Sequence, residues 1–177
     1  LLGLVGSEMC IRDRFIFAQM NYILFDENRE FLFPLTYTRP ISEIRIGIMT
    51  IKEKWACHLG SNLSTKTADY LQKKYPLQKD EDNIYINSGL CPNKALVTAI
   101  QKLNNGEGLY VGDTLLAYRN SPNQKVYFTD GFTQIEKLWH IFQYNATELQ
   151  ADFDFITTGR NSQTLSAVSY THLRAHE

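Results

Sequence analysis

Short apolar runs alternate along this chain with segments whose apolar residues recur at helical spacing. Residues 22–25 form an apolar run that reads as a buried strand. Thr50-Ile51-Lys52-Glu53 is a capping box, a threonine and a glutamate spaced to satisfy each other's free backbone N–H. It opens a predicted helix carrying Ile51, Lys54, Trp55 and Leu59 toward a stop at Gly60. Residues 67–75 predict a second helix, ended by Pro76. Residues 84–86 predict a strand. Asn93 then caps a helix with Leu96, Val97, Ile100 and Leu103 on one face, stopped by Asn105-Gly106. Residues 109–111 and 115–118 predict strands flanking Gly112-Asp113, and 126–128 predict another. Thr133-Gln134-Ile135-Glu136 is a second capping box, whose helix shows Ile135, Leu138, Trp139 and Phe142 at helical spacing. The aromatic stripe through Trp139 and Phe142 predicts a core-facing side. Strands alternating with helices predict an α/β domain with a mostly parallel sheet.

Translated back to DNA, the two ends of the chain mirror one another. Read antiparallel, residues 168–177 and 4–13 can be encoded by one duplex, codon by codon. Val168 as GTC pairs with Asp13 as GAC, and so on to Glu177 as GAG against Leu4 as CTC. Such a duplex resembles the adaptor joined to both ends of shotgun-library fragments, and segments of that kind stand outside fold reasoning. The expected organisation is therefore adaptor and upstream read-through over 1–19 and one domain over 20–160. A linker would start at 161–167, and adaptor would follow over 168–177. Met20 is the expected native start, and the native chain is expected to continue beyond Ala167.

Charge sharpens the picture by exclusion. Lys and Arg number 18 against 19 Asp and Glu, a net charge of −1, which does not suggest nucleic acid or an anionic membrane as a partner. No apolar run approaches the ~20 residues of a membrane span. Within 20–167 the cysteines are Cys57 and Cys91 and the histidines His58 and His140. Neither a disulfide framework nor a multi-histidine metal site fits that inventory. A reduced, cytoplasmic setting is the expectation.

The stretch 26–40 is rich in charge and aromatics, and Pro34 and Pro40 deny it regular structure. After the first strand come Pro34-Leu35-Thr36-Tyr37-Thr38-Arg39-Pro40, then Ile44-Arg45-Ile46-Gly47, then Glu53-Lys54-Trp55. This order resembles the signature region of sugar nucleotidyltransferases: strand, loop, Pro-Leu-Thr, Arg-Pro, helix. Leu24-Phe25-Asp26, Ile86-Asn87, Leu90-Cys91-Pro92-Asn93, Gly112-Asp113 and Asp152-Phe153-Asp154 extend the resemblance over nearly all of 20–160. It is to the N-terminal domain of a divergent bacterial family. That family is related to the bifunctional N-acetylglucosamine-1-phosphate uridylyltransferase and glucosamine-1-phosphate acetyltransferase.

The resemblance implies a Rossmann-like nucleotide-diphospho-sugar transferase fold, truncated here before a left-handed β-helix domain. Through that domain the full-length protein would form a homotrimer. The implied partners are a nucleoside triphosphate and a sugar 1-phosphate, the implied product UDP-N-acetylglucosamine or a close analogue, and the implied cofactor Mg²⁺. Such a reaction joins two anions, so cationic side chains and a metal must offset their repulsion. Arginine suits the task because its planar fork binds phosphate bidentately. The expected catalytic cations are accordingly Arg39, Arg45 and Lys54. Asp26, Arg29 and Thr38 are expected to contact the nucleotide. Asp113 is the candidate metal ligand, although Gly112-Asp113 also reads as a tight turn.

The loop departs from the family pattern. Asp26-Glu27-Asn28-Arg29-Glu30 stands where glycines are usual, Phe31 where the loop has its arginine, and Ile41 where a lysine follows the proline. A loop without glycine cannot easily bring backbone N–H groups onto phosphates. The alternative reading is therefore a degenerate, non-catalytic nucleotide-sugar-binding or regulatory domain of an acyltransferase.

Overall fold

A computed structural model describes residues 20–161. The segments assigned above to adaptor DNA, 1–19 and 168–177, lie outside the described residues, as does most of the expected linker.

Strand β1 (Asn21–Phe25) buries Tyr22, Ile23 and Leu24 between two covered faces, which is why its sequence is continuously apolar rather than alternating. A small hairpin follows, β2 (Arg45–Ile46) against β3 (Met49–Thr50), and runs straight into helix α1 (Ile51–Leu59). The capping box forms as predicted: Glu53 N–H donates to the Thr50 hydroxyl at 3.2 Å, and Thr50 N–H to the Glu53 carboxylate at 2.7 Å. Gly60 ends the helix at φ 63°, a left-handed conformation glycine adopts without a Cβ penalty. Strand β4 (Leu63–Lys66) and the short helix α2 (Asp69–Gln72) come next. Strands β5 (Asn83–Asn87) and β6 (Leu90–Cys91) lead to helix α3 (Lys94–Gln101), capped by Asn93 as expected. Strands β7 (Glu107–Val111), β8 (Thr114–Arg119), β9 (Gln124–Tyr127) and β10 (Thr133–Gln134) precede the 20-residue helix α4 (Leu138–Thr157).

The fold is α/β and Rossmann-like. Its central sheet runs β4-β1-β5-β8-β7-β9 and is mostly parallel. Strands β4, β1 and β5 are parallel, β8 is antiparallel to both β5 and β7, and β9 is parallel to β7. The chain leaves β1 for β4 on one side and returns to β5 on the other. The order therefore reverses at β1, and crevices at such switch points, outside the carboxyl ends of the strands, are where open α/β sheets bind ligands. A single buried cluster holds the layers together, with Ile51, Trp55, Ile84, Ile86, Leu96, Ile100 and Leu116 sealed from solvent. The Trp55 indole N–H donates to the Leu90 carbonyl at 2.9 Å and pins α1 to β6.

Three expectations change. The helix predicted over 67–75 shrinks to α2, and β4 is a strand that the hydrophobic pattern does not announce. Its Leu63, Ser64 and Thr65 are buried edge residues that carry little alternation. The second capping box does not cap. Thr133 and Gln134 pair with Cys91 and Leu90 instead, and α4 begins only at Leu138, with Lys137 as its N-cap. The aromatic stripe of α4 is not core: Trp139 is 58% and Phe142 75% exposed. The helix turns a different face inward, through Ile141, Tyr144, Glu148 and Asp152.

Candidate functional site at the carboxyl edge of the sheet

The carboxyl ends of β1 and β5 are knitted together. Ser88 N–H donates to the Phe25 carbonyl at 2.9 Å, and Asn87 Nδ2 donates to Glu27 Oε2 at 3.1 Å. Asp26, immediately beyond β1, is a staple. Its carboxylate accepts the Ile41 N–H at 3.2 Å and the Thr67 hydroxyl at 2.5 Å, tying the loop's return and the exit of β4 to β1. Burial pushes this carboxyl above the ordinary aspartate range, against the lowering effect of the Thr67 hydroxyl and the Ile41 N–H. The hydroxyl of Ser88 also faces it, outside hydrogen-bonding geometry.

Between Asp26 and Ile41 the loop folds back through a short 3₁₀ turn, Arg29–Leu32. Arg29 closes it. Its guanidinium donates to the Thr36 carbonyl and, at 2.8 Å, to the Tyr70 hydroxyl, while Thr36 Oγ1 donates back to the Arg29 carbonyl at 2.7 Å. The expected nucleotide contact Arg29 is thus engaged in holding the loop. Thr38 and Arg39 sit on the exposed return of the loop, next to the stapled Pro40-Ile41. No partner among the described residues holds the Arg39 guanidinium.

Arg45 lies on the neighbouring hairpin. It donates to the Ile48 carbonyl and faces Glu53 across 3.8 Å, with both side chains more than half exposed. Asp113 occupies the exposed turn between β7 and β8, with Gly112 at φ 57°. The register Ile86↔Ala117 sets the start of β8 beyond the end of β5, so this turn shares the carboxyl edge with Asp26. It is offset from β1 by two strands, about 10 Å across the sheet.

Lys54 has a different environment from the phosphate contact expected of it. Its side chain is 2% exposed, with Nζ at 2.7 Å from Glu148 Oε2 and 2.9 Å from Asp152 Oδ1. Burial would lower this ammonium, but the bonds from Asp152 and Glu148 outweigh it and hold it above the ordinary lysine range. Asp152 Oδ2 also accepts the N–H groups of Ile48 at 2.9 Å and Met49 at 3.2 Å. The lysine is therefore the centre of a buried clasp joining α1, the β2–β3 hairpin and α4. Of the three expected cations, Arg39 and Arg45 are exposed and Lys54 is enclosed.

A polar cleft of about 130 Å³ opens beside the ends of β1 and β5, lined by Glu27, Asn87, Phe31 and the segment 134–137. No sequence motif marks Glu27 or Lys137. The signal within reach was the acidic pair Asp26-Glu27 ending a buried strand; Lys137 arrives only through the tertiary fold.

An open α/β sheet with a switch point, and at its carboxyl edge polar side chains and an arginine without a partner among the described residues, is the layout of a ligand-binding α/β domain. More particularly, the chain belongs to the sugar nucleotidyl transferase family, whose model matches residues 22–161. A comparison with curated proteins finds no match. Membership makes the domain a transferase acting on nucleotide and sugar-phosphate substrates, in a family that generally uses divalent metal ions. No helix among the described residues is long and apolar enough to cross a membrane.

Proposed function

We propose that the domain joins uridine triphosphate to an N-acetylhexosamine 1-phosphate. A sugar-phosphate oxygen attacks the α-phosphorus, the bond to the β-phosphate breaks, and pyrophosphate leaves. The observation that carries this reading is the placement of Arg39. Its guanidinium is exposed on the switch-point edge, two residues from a backbone N–H gripped by Asp26. A free fork held on a stapled loop is suited to phosphate oxygens, whose charge it would offset as it shifts to the leaving group. Arg45 supplies a second exposed cation nearby, and the Thr38 hydroxyl a further donor. In this reading Asp26 and Arg29 act by fixing the loop, and Lys54 by fixing the helix behind it.

Mg²⁺ takes one or two carboxylates and completes its shell with phosphates and water. Among the described residues no three His, Cys, Asp or Glu side chains cluster as a metal cage. A single exposed carboxylate could still meet an ion carried in on the triphosphate, and Asp113, exposed on the β7–β8 turn, is the candidate. When bound, the ion would neutralise phosphate charge.

The test is pyrophosphate release from UTP and N-acetylglucosamine 1-phosphate. Arg39→Ala should lower kcat/KM by roughly 10- to 100-fold, the scale of one charged hydrogen-bonding group, while Arg39→Lys recovers part. Unchanged turnover in Arg39→Ala refutes the assignment. The engagement of Arg29 and Lys54 in internal contacts favours a second reading, a nucleotide-sugar-binding module without turnover. UTP binding with no pyrophosphate release would select it.

A further inference from the structure

Helix α4 has two apolar stripes, and the domain core uses one. Ile141, Tyr144, Glu148 and Asp152 turn inward. Trp139, Phe142, Ala146, Leu149, Phe153 and Ile156 form the other, recurring at alternating steps of three and four residues. At the turn of an α-helix this second stripe lies roughly 130° around from the first. It is left in water: Trp139 is 58%, Phe142 75%, Leu149 45% and Phe153 52% exposed, and Ala146 is exposed between them. The helix cannot roll to hide it. Its inner face is fixed by the ion pairs of Lys54 to Glu148 and Asp152 and by the Asn145 bond to the Gly47 N–H.

Spacing, area and charge say what covers such a stripe. Steps of three and four over six positions make the apolar seam along which one helix packs on another. Taking 150–250 Å² for a whole aromatic side chain, the exposed fractions present roughly 400–500 Å² of apolar surface. A standard interface buries about 800 Å² per partner, of which roughly 60% is apolar. The seam therefore supplies about the apolar share of one side. Its six positions carry no charge, and Gln143, Asn145, Gln150 and Thr157 beside them are neutral. Asp152, also alongside, is already matched by Lys54. Two copies would meet here without repulsion, and nothing in the pattern selects a charged partner. The seam also fits itself. Laid antiparallel about a two-fold axis between Ala146 and Leu149, it sets Phe142 against Phe153 of the second copy. In the same register Trp139 meets Ile156 and the small Ala146 meets the larger Leu149.

We infer that this face of α4 docks a second copy of the chain, the two helices pairing antiparallel in that register. The inference is independent of the transferase reading, since no residue of the seam belongs to the carboxyl edge. Light scattering of the full chain across the micromolar range tests it, and the mass should rise from that of one chain to that of two. Phe142→Lys and Phe153→Glu should each weaken pairing about 30-fold or more, the scale of a central interface residue. Circular dichroism should stay unchanged, because both side chains face water in the single chain. Mixing the two variants should restore a dimer, because the ammonium introduced in one then faces the carboxylate introduced in the other. Iodide quenching gives a second readout: Trp55 is sealed in the core, so quenchable emission reports Trp139 and should fall as pairs form. A parent with the mass of one chain throughout overturns the inference. If Trp139 is already shielded in that single chain, another part of the same chain covers the seam. A dimer that neither substitution weakens, or variants that do not recombine, overturn it equally.

Discussion

Replacing Lys54 with methionine would leave two carboxylates in the core without their cation. Nζ sits 2.7 and 2.9 Å from Glu148 and Asp152, whose side chains are 10% and 6% exposed. Breaking a buried ion pair from one side costs about 3–5 kcal/mol, because the remaining charge is stranded. Two features place this case near the lower figure. Methionine keeps the packing of the lysine stem, and Asp152 retains the N–H groups of Ile48 and Met49. We expect a loss of about 3 kcal/mol, a fall in Tm of roughly 6–12 °C for a domain of this size. The pH dependence carries a sign. Stranded carboxylates bind protons more tightly folded than unfolded, so the variant should regain stability as pH falls from 8 toward 5. In the parent, the Lys54 ammonium is held above its ordinary range. Its contribution is complete below 10.5 and is lost only as pH rises through the higher folded value. Urea unfolding followed by circular dichroism at the two pH values measures both effects. A loss under about 1 kcal/mol, or one that deepens on acidification, would refute the buried-clasp account. The triple change Lys54→Met, Glu148→Gln, Asp152→Asn should recover much of the loss, since a neutral replacement strands no charge.

Gly47→Ala should destabilise by roughly 2–4 kcal/mol, combining left-handed strain with a clash. At φ 75° its Cβ would meet Asp152 Oδ2 at 2.6 Å and the Glu148 backbone at 2.9 Å; thermal unfolding reads this, and an unchanged Tm would show that α4 yields freely. Asp26→Asn should be tolerated at neutral pH, because the amide can still accept the Ile41 N–H and can donate to the Thr67 hydroxyl. Its stability should also lose a pH dependence. The parent's carboxyl is raised by burial, so its contribution is greatest below 3.8 and is lost as pH rises through the folded value. Asp26→Ala, by contrast, strips both contacts and should cost about 1–3 kcal/mol in urea titrations.

Legibility in the sequence followed locality. The box at Thr50–Glu53 and the Asn93 cap were readable because each satisfies backbone groups within three residues. The box at 133–136 has the same letters, but β6 offers Thr133 and Gln134 a ladder, and tertiary pairing overrides the local signal. Arg39 and Lys54 looked alike as cations near the first strand. What separates them is α4, which delivers Glu148 and Asp152 to one and nothing to the other. Phe31 stands where the family's loop has an arginine, and a lysine from the far end of the chain rests on its ring. No spacing rule reports a cation supplied by another element.

The buried clasp also reaches the Phe31 loop, through helix α4. Helix α4 begins directly after Lys137, and its inner face is tied to α1 and the β2–β3 hairpin through Glu148, Asp152 and the Asn145 bond to the Gly47 N–H at 2.8 Å. The ammonium at the cleft is therefore positioned from two sides, by the Phe31 ring locally and by the buried clasp along the helix. In the proposed reaction UTP would meet the Arg39 edge, which Asp26 holds independently of the clasp, so loosening the clasp should leave that ligand alone. Lys54→Met studied well below its Tm should then keep an unaltered KM for UTP despite its lower stability. A direct phosphate contact by Lys54 would instead reduce turnover or UTP affinity with the fold intact.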